Sequence, residues 1–181
     1  MNTISILCLV VVTALMACSK NSDTTTNSTV VDADGNTYST IEIGNQTWMA
    51  ENLKTTKFND GTPITKYSFA LFGNKWFYIP TSEKLYQWAD TSDLNNIHTQ
   101  GLPFNYYGAM YNHFAIATGK LAPKGWRIPS EEDFVELKNY LTNNGFSGNE
   151  GLALKASTGW MPSSGNGTNA VGFKGLPNGY I

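Results

Sequence analysis

Apolar positions change their spacing several times along this chain, and each change marks a different kind of element. Ile4 to Ala17 is an almost unbroken apolar run. It is shorter than the roughly 20 residues that cross a bilayer and has the length of a secretory h-region. Ser19 to Thr29 contains no apolar residue and no periodicity, which predicts a solvated tether. From Val30 the pattern turns strand-like. Val30 and Val31 lead into Asp34-Gly35 and out to Tyr38, and Asp-Gly predicts a tight hairpin because both central positions of that turn need positive φ. Ile41, Ile43 and Trp48 carry the β pattern around a second turn at Gly44-Asn45.

Phe58-Asn59-Asp60-Gly61-Thr62-Pro63 predicts another turn. Between Tyr67 and Trp88 the chain is dense in aromatic residues, and Ser82 to Trp88 is long enough for two turns of helix. Asp90 to Gly101 is polar and reads as loop, with Pro103 just beyond it. Tyr106 to Ala117 is apolar on both faces, the pattern of a central strand. Ser130 then offers a helix cap, Asp133 stands at the capping-box position, and Glu131, Glu132 and Asp133 favour the positive end of a helix. Phe134, Leu137 and Leu141 follow at helical spacing, and Asn143-Asn144-Gly145 provides the stop. The expected architecture is α+β: antiparallel strands and hairpins with one helix over about 130–143, in a single domain spanning 30–181.

Composition narrows the class. The chain has 181 residues, 12 Lys and Arg against 14 Asp and Glu, and a net charge of −2. No cationic excess exists to displace phosphate counterions, so no nucleic-acid partner is expected. Charged residues make up 14% of the chain and aromatics 13%. This is too aromatic for a disordered chain and has too few charges for an ordinary cytosolic domain, where about a quarter is usual.

The apolar run ends in Leu15-Met16-Ala17-Cys18, which resembles a bacterial lipobox. The resemblance implies a leader of residues 1–17, cleavage between Ala17 and Cys18, and a lipidated Cys18 heading a tether over 18–29. The first five residues carry no Lys or Arg, a departure from the usual leader. Cys8 would leave with the leader, so no thiol would remain outside the anchor. The expected location is the cell envelope, lipid-anchored to a membrane, with the outer membrane of a Gram-negative bacterium as the host surface. Asp23-Thr24-Thr25 resembles a bacterial O-glycosylation acceptor, but a plain polar linker is the reading the sequence favours.

Catalytic chemistry finds little to use. His98 lies in polar sequence and His113 inside the expected strand, with no second His or Cys at metal-ligand spacing. No nucleophile elbow, phosphate loop or dinucleotide fingerprint occurs. Asp32, Asp34 and Asn36 alternate like calcium-loop ligands, but the Gly and Glu of such a loop are missing, and a hairpin turn needs the same residues. No enzyme activity, cofactor or metal site is expected. Exposed rings could serve a binding surface, with Trp76, Trp88 and Trp160 as candidate ligand contacts. Trp48 and Trp126 flank strand and helix starts and are expected in the core.

Three blocks together carry a resemblance: Asp34 to Thr55, Tyr107 to Leu137, and Leu154 to Trp160 with Asn169 to Phe173. Their order and spacing resemble the Fibrobacter succinogenes major paralogous domain, a family of exported bacterial proteins and lipoproteins. The resemblance covers about Val30 to the end. It implies a C-type lectin-like scaffold, and Gly125-Trp126-Arg127-Ile128-Pro129-Ser130 is also similar to the sulfatase-modifying group on that scaffold. The family normally continues for several strands past Tyr180, so the domain is expected to be C-terminally short. No reaction comes with the resemblance. The cysteines that formylglycine generation requires are absent from 19–181, as are the Glu-Pro-Asn, Gln-Pro-Asp and Trp-Asn-Asp signatures of calcium-dependent lectins. The expected function is a lipid-anchored, non-catalytic binding or adhesion module for a glycan or a protein. The alternatives are a structural envelope protein without a dedicated ligand, or a truncated gene product.

Overall fold

The computed structural model describes residues 28–68, 82–88, 105–160 and 163–177. The leader, Cys18, most of the tether, Trp76, the aromatic residues from Phe69 to Tyr78, and His98 lie outside them.

Two small sheets and one longer helix make a mixed α+β fold. The first sheet is the double hairpin read from the sequence, but the β1–β2 turn is wider than the tight Asp-Gly turn expected. Residues 32–36 separate the strands, and of Asp34 and Gly35 only Gly35 has positive φ, because the Asp32 side chain bonds Asp34 N and Asn36 N across the loop. β1 (Thr29–Val31), β2 (Thr37–Ile43) and β3 (Gln46–Met49) pair antiparallel in that order. Gly35, at φ +84°, and Gly44, at φ +63°, take the left-handed positions of the two turns. Gly44 has a second constraint: a Cβ there would sit 2.7 Å from the Tyr140 ring. The turn therefore packs directly against the helix.

The second sheet joins β4 (Thr65–Lys66), β5 (Leu85–Trp88) and β6 (Ala109–Tyr111), with β4 parallel to β5 and β6 antiparallel to it. Two expectations change here. Ser82 to Trp88 forms no helix. Leu85 and Tyr86 are consecutive and both buried, as strand residues covered on both faces are. The flanking strands supply a ladder that seven helical residues could not match alone. Tyr106 to Ala117 does not form one central strand either. β6 holds only three residues and, among the described residues, lies at the end of its sheet. Asn112 stops it: its side-chain oxygen accepts from Leu85 N at 3.1 Å and from Ala115 N at 3.0 Å, ending the strand and capping the short helix α1 (His113–Ile116). Asn is a strong N-cap because this hydrogen bond satisfies a helix-end donor.

The helix that the sequence marked most strongly is present as α2 (Glu131–Leu141), with the complete Ser130–Asp133 capping box. A five-residue π turn (Thr142–Phe146) ends it, and Gly145 at φ +92° makes the left-handed exit. α3 (Glu150–Leu154) follows.

The core has two centres. Ile43 and Trp48 of the first sheet pack with Leu137, Leu141 and Ala153. Phe58, Ile64, Tyr86, Ala109, Ala115 and Leu121 form the other, with Trp88 partly buried against it. Each of the larger aliphatic and Phe side chains buried this way contributes about 1.5–3 kcal/mol.

Candidate functional site

A cleft of about 820 Å3 opens between β3 with the segment after it and the Ala122–Pro129 loop that leads into α2. One wall is Asn45 to Met49 with Glu51 to Leu53. The other is the loop, with Asp133, Phe134 and Glu136 of α2 and Phe173 closing the ends. The two walls come from two of the sequence blocks singled out above, Asp34 to Thr55 and Tyr107 to Leu137.

The apolar part of the cleft is aromatic. The Trp48 ring lies 5.4 Å from Phe134 and 5.7 Å, edge-on, from Phe173, within the range where ring pairs add to simple burial. The Trp48 indole N–H donates to the Gln46 side-chain oxygen at 3.1 Å, and the Gln46 amide donates to the Asp133 carbonyl at 3.0 Å. This chain fixes β3 to the start of α2. Trp126 borders the cleft and is only half-buried, so its expected place in the core is corrected. Pro123 and Gly125 hold it in a turn, with Trp126 N donating to the Pro123 carbonyl, rather than on a packed strand or helix face.

The charged part is mostly anionic. Arg127 forms a two-pronged ion pair with Asp133, one prong at 2.6 Å. Asp133 also accepts from Ser130 N at 2.7 Å. The Arg127 guanidinium and the Ser130 backbone N–H hold the Asp133 carboxyl well below the usual carboxylate range, and Asp133 in turn raises Arg127. Glu51 and Glu136 also border the cleft. Among the described residues neither is paired with a cation. Glu51 Oε1 accepts from Ser39 N at 3.2 Å.

The first hairpin was the other place where the sequence gathered acids. Asp32 Oδ1 accepts from Asp34 N and Asn36 N, both at 2.9 Å, and Oδ2 accepts from Asn36 Nδ2 at 2.8 Å and the Tyr38 hydroxyl at 2.5 Å. Asp34 turns the other way. It accepts from Thr55 Oγ1 at 3.2 Å, Thr56 Oγ1 at 3.0 Å and Thr56 N, and pairs with Lys57 at 3.2 Å. Burial raises the Asp34 carboxyl, but these donors outweigh it and leave it below its usual range. Burial, reinforced by the Asp32 carboxylate, pushes the Tyr38 phenol far above its ordinary value. These carboxylates organise the hairpin, and Asp34 clamps it to residues 55–57. Among the described residues, no group of three His, Cys, Asp or Glu side chains is placed to hold a metal ion.

Of the sequence's candidate contacts, Trp76 is outside the described residues. Trp88 packs against the second core centre, edge-on to Tyr86 at 5.3 Å. Trp160 donates to the Gly175 carbonyl at 3.0 Å and lies under Lys155 Nζ, 4.3 Å from the ring centroid. Neither Trp88 nor Trp160 borders the cleft. His113 is exposed at the start of α1. The cleft residues Gln46, Met49, Glu51, Arg127 and Glu136 were not singled out as a site. Their signal was their place in the two family-like blocks, Asp34 to Thr55 and Tyr107 to Leu137, which do not say that they face each other.

No helix among the described residues is long and apolar enough to cross a membrane. The family described as Fibrobacter succinogenes major domain matches residues 41–181. No curated protein and no solved structure matches the chain.

Proposed function

Given that this chain belongs to the Fibrobacter succinogenes major domain family, we propose that it is a lipid-anchored cell-envelope protein whose domain is a non-catalytic binding or adhesion module, with the cleft as its binding site. One observation carries the reading. Two of the sequence blocks that carry the family resemblance face each other across one open cleft, which Trp48 of the core also borders. Aromatic rings, side-chain amides and carboxylates there suit the recognition of a glycan or a protein segment. The scaffold we take to be of the C-type lectin-like kind, on the strength of the sequence blocks. The anchor rests on Leu15-Met16-Ala17-Cys18 after an apolar stretch. Each buried CH2 of an acyl chain contributes about 0.8 kcal/mol, so several chains hold far more durably than one.

Two measurements test this. The full-length chain in detergent is applied to glycan and protein arrays beside a Trp126→Ala variant. Reproducible hits that weaken in the variant support the cleft, and a blank array returns the domain to a purely structural role. In cells, Cys18→Ala is expected to release the protein from the membrane fraction. Retention without detergent would remove the lipid anchor.

A further inference from the structure

We propose that the cleft receives an extended polypeptide segment, which adds as a strand to the open edge of β3 and directs a Lys or Arg side chain to Glu51 and Glu136. This rests on the binding-module reading and names the ligand class. The register of the first sheet decides which backbone groups are available. Ala50 N donates to Ser39 O at 2.9 Å, so 39 and 50 form a hydrogen-bonded pair. In an antiparallel ladder such pairs alternate with non-bonded ones. With Ile41 opposite Trp48 and Ile43 opposite Gln46, positions 46, 48 and 50 bond toward β2. The N–H and C=O of Thr47 and Met49 therefore face away from it, and among the described residues β3 is the last strand of its sheet.

Both residues border the cleft, Thr47 exposed and Met49 half-buried. They present two donor–acceptor pairs separated by about 6.6–6.8 Å, the repeat of another strand. A peptide backbone matches that spacing residue for residue, and a sugar does not. An open edge in a groove is the usual setting for strand addition. The rim supplies the charge preference. Arg127 is taken up by Asp133, which leaves Glu51 and Glu136 as the carboxylates without a cation. On the outer side Glu131, Glu132 and Val135 extend the same anionic and apolar surface along α2.

The test selects heptapeptides from a random phage-displayed library on the full-length chain in detergent micelles. The best peptide is resynthesised with one backbone N-methyl group at a time. Strand addition predicts a period of two: methylation at alternate residues weakens binding about tenfold or more, the cost of a lost backbone hydrogen bond with its desolvated partner, and methylation between them has little effect. Selected peptides should carry Lys or Arg, and Glu136→Gln should reduce their affinity and its salt dependence. Thr47→Pro removes a donor that faces the guest and none that faces β2, a substitution edge strands tolerate; it should abolish binding. Should that variant fail to fold, the methylation series on the unaltered protein decides. Peptides that bind without a period of two, or an empty selection, would overturn the proposal. In the empty case a positive glycan array would keep the binding module, whereas blank arrays would remove both. Self-association abolished by Thr47→Pro would assign the edge to a second copy and overturn the peptide.

Discussion

The two sides of the first sheet treat acidic residues in opposite ways. At the β1–β2 turn, Asp32 and Asp34 accept hydrogen bonds from seven donors of the protein itself. At the β3 side, Glu51 and Glu136 border an open cleft, and of the Arg127–Asp133 pair beside them the guanidinium is solvent-exposed while Asp133 is held by Arg127 and Ser130 N. In sequence the first is a run of alternating polar residues at a turn, whereas Glu51 and Glu136 lie far apart and only the fold brings them to one cleft. What separates them is the number of N–H and O–H groups aimed at each. A carboxylate surrounded by donors in a partly dry site is a structural brace, because each charge-assisted bond is worth roughly 1.5–3 kcal/mol and the donors have nowhere else to go. A carboxylate facing water has little net effect on folding and remains available to a partner.

The comparison breaks most visibly at Asp32. It is 8% exposed, and Asp32→Ala would strand the Tyr38 hydroxyl and three further donors. A loss of about 3 kcal/mol is expected from buried unsatisfied groups, read as a lowered urea midpoint of the full-length chain. An unchanged midpoint would mean that the hairpin is not a brace. Next is Asp34, whose side chain is 17% exposed. Asp34→Asn should cost about 1–2 kcal/mol and should also change the response to acid. The native carboxyl is held below its usual range, so its contribution is complete above the unfolded value of about 3.9 and is lost as pH falls through the lower native one. The wild-type protein should therefore lose stability below about pH 4 more steeply than Asp34→Asn. Parallel acid limbs in the two midpoint series would refute this role.

The comparison also shows what could be read beforehand. The two hairpins, the capping box and the Gly145 stop were legible because each depends on a few adjacent residues. Ser82–Trp88 and Tyr106–Ala117 were not, because their structure is decided from a distance. Leu85 becomes a strand residue only when Thr65 and Tyr86's partner Tyr111 come alongside, and Asn112 ends β6 by bonding to Leu85 and Glu83. The cleft failed for a related reason. Its walls are some 70 residues apart in sequence, and an aromatic residue such as Trp126 looks the same on a core face and on a cleft wall. Gln46 gave no warning that it would bridge Trp48 to Asp133, since an isolated Gln in a strand is usually just a solvent-facing side chain.

The cleft side should yield smaller stability effects in a definite order. Ser130→Ala removes the cap of α2 and should cost about 1 kcal/mol, seen as a small downward shift of the same urea midpoint. Arg127→Ala should not shift it beyond scatter. The guanidinium side chain is 69% exposed, and an exposed ion pair gains little over hydration. Asp133 keeps its bond from Ser130 N without Arg127, so α2 retains its start. What Arg127→Ala does change is the field over the cleft, by removing a cation from its lining. A cationic peptide held at Glu51 and Glu136 should then bind more tightly at low salt, with the gain fading as ionic strength rises. A large drop in the midpoint would instead make Arg127 a brace like Asp32, and the contrast between the two sides of the sheet would collapse.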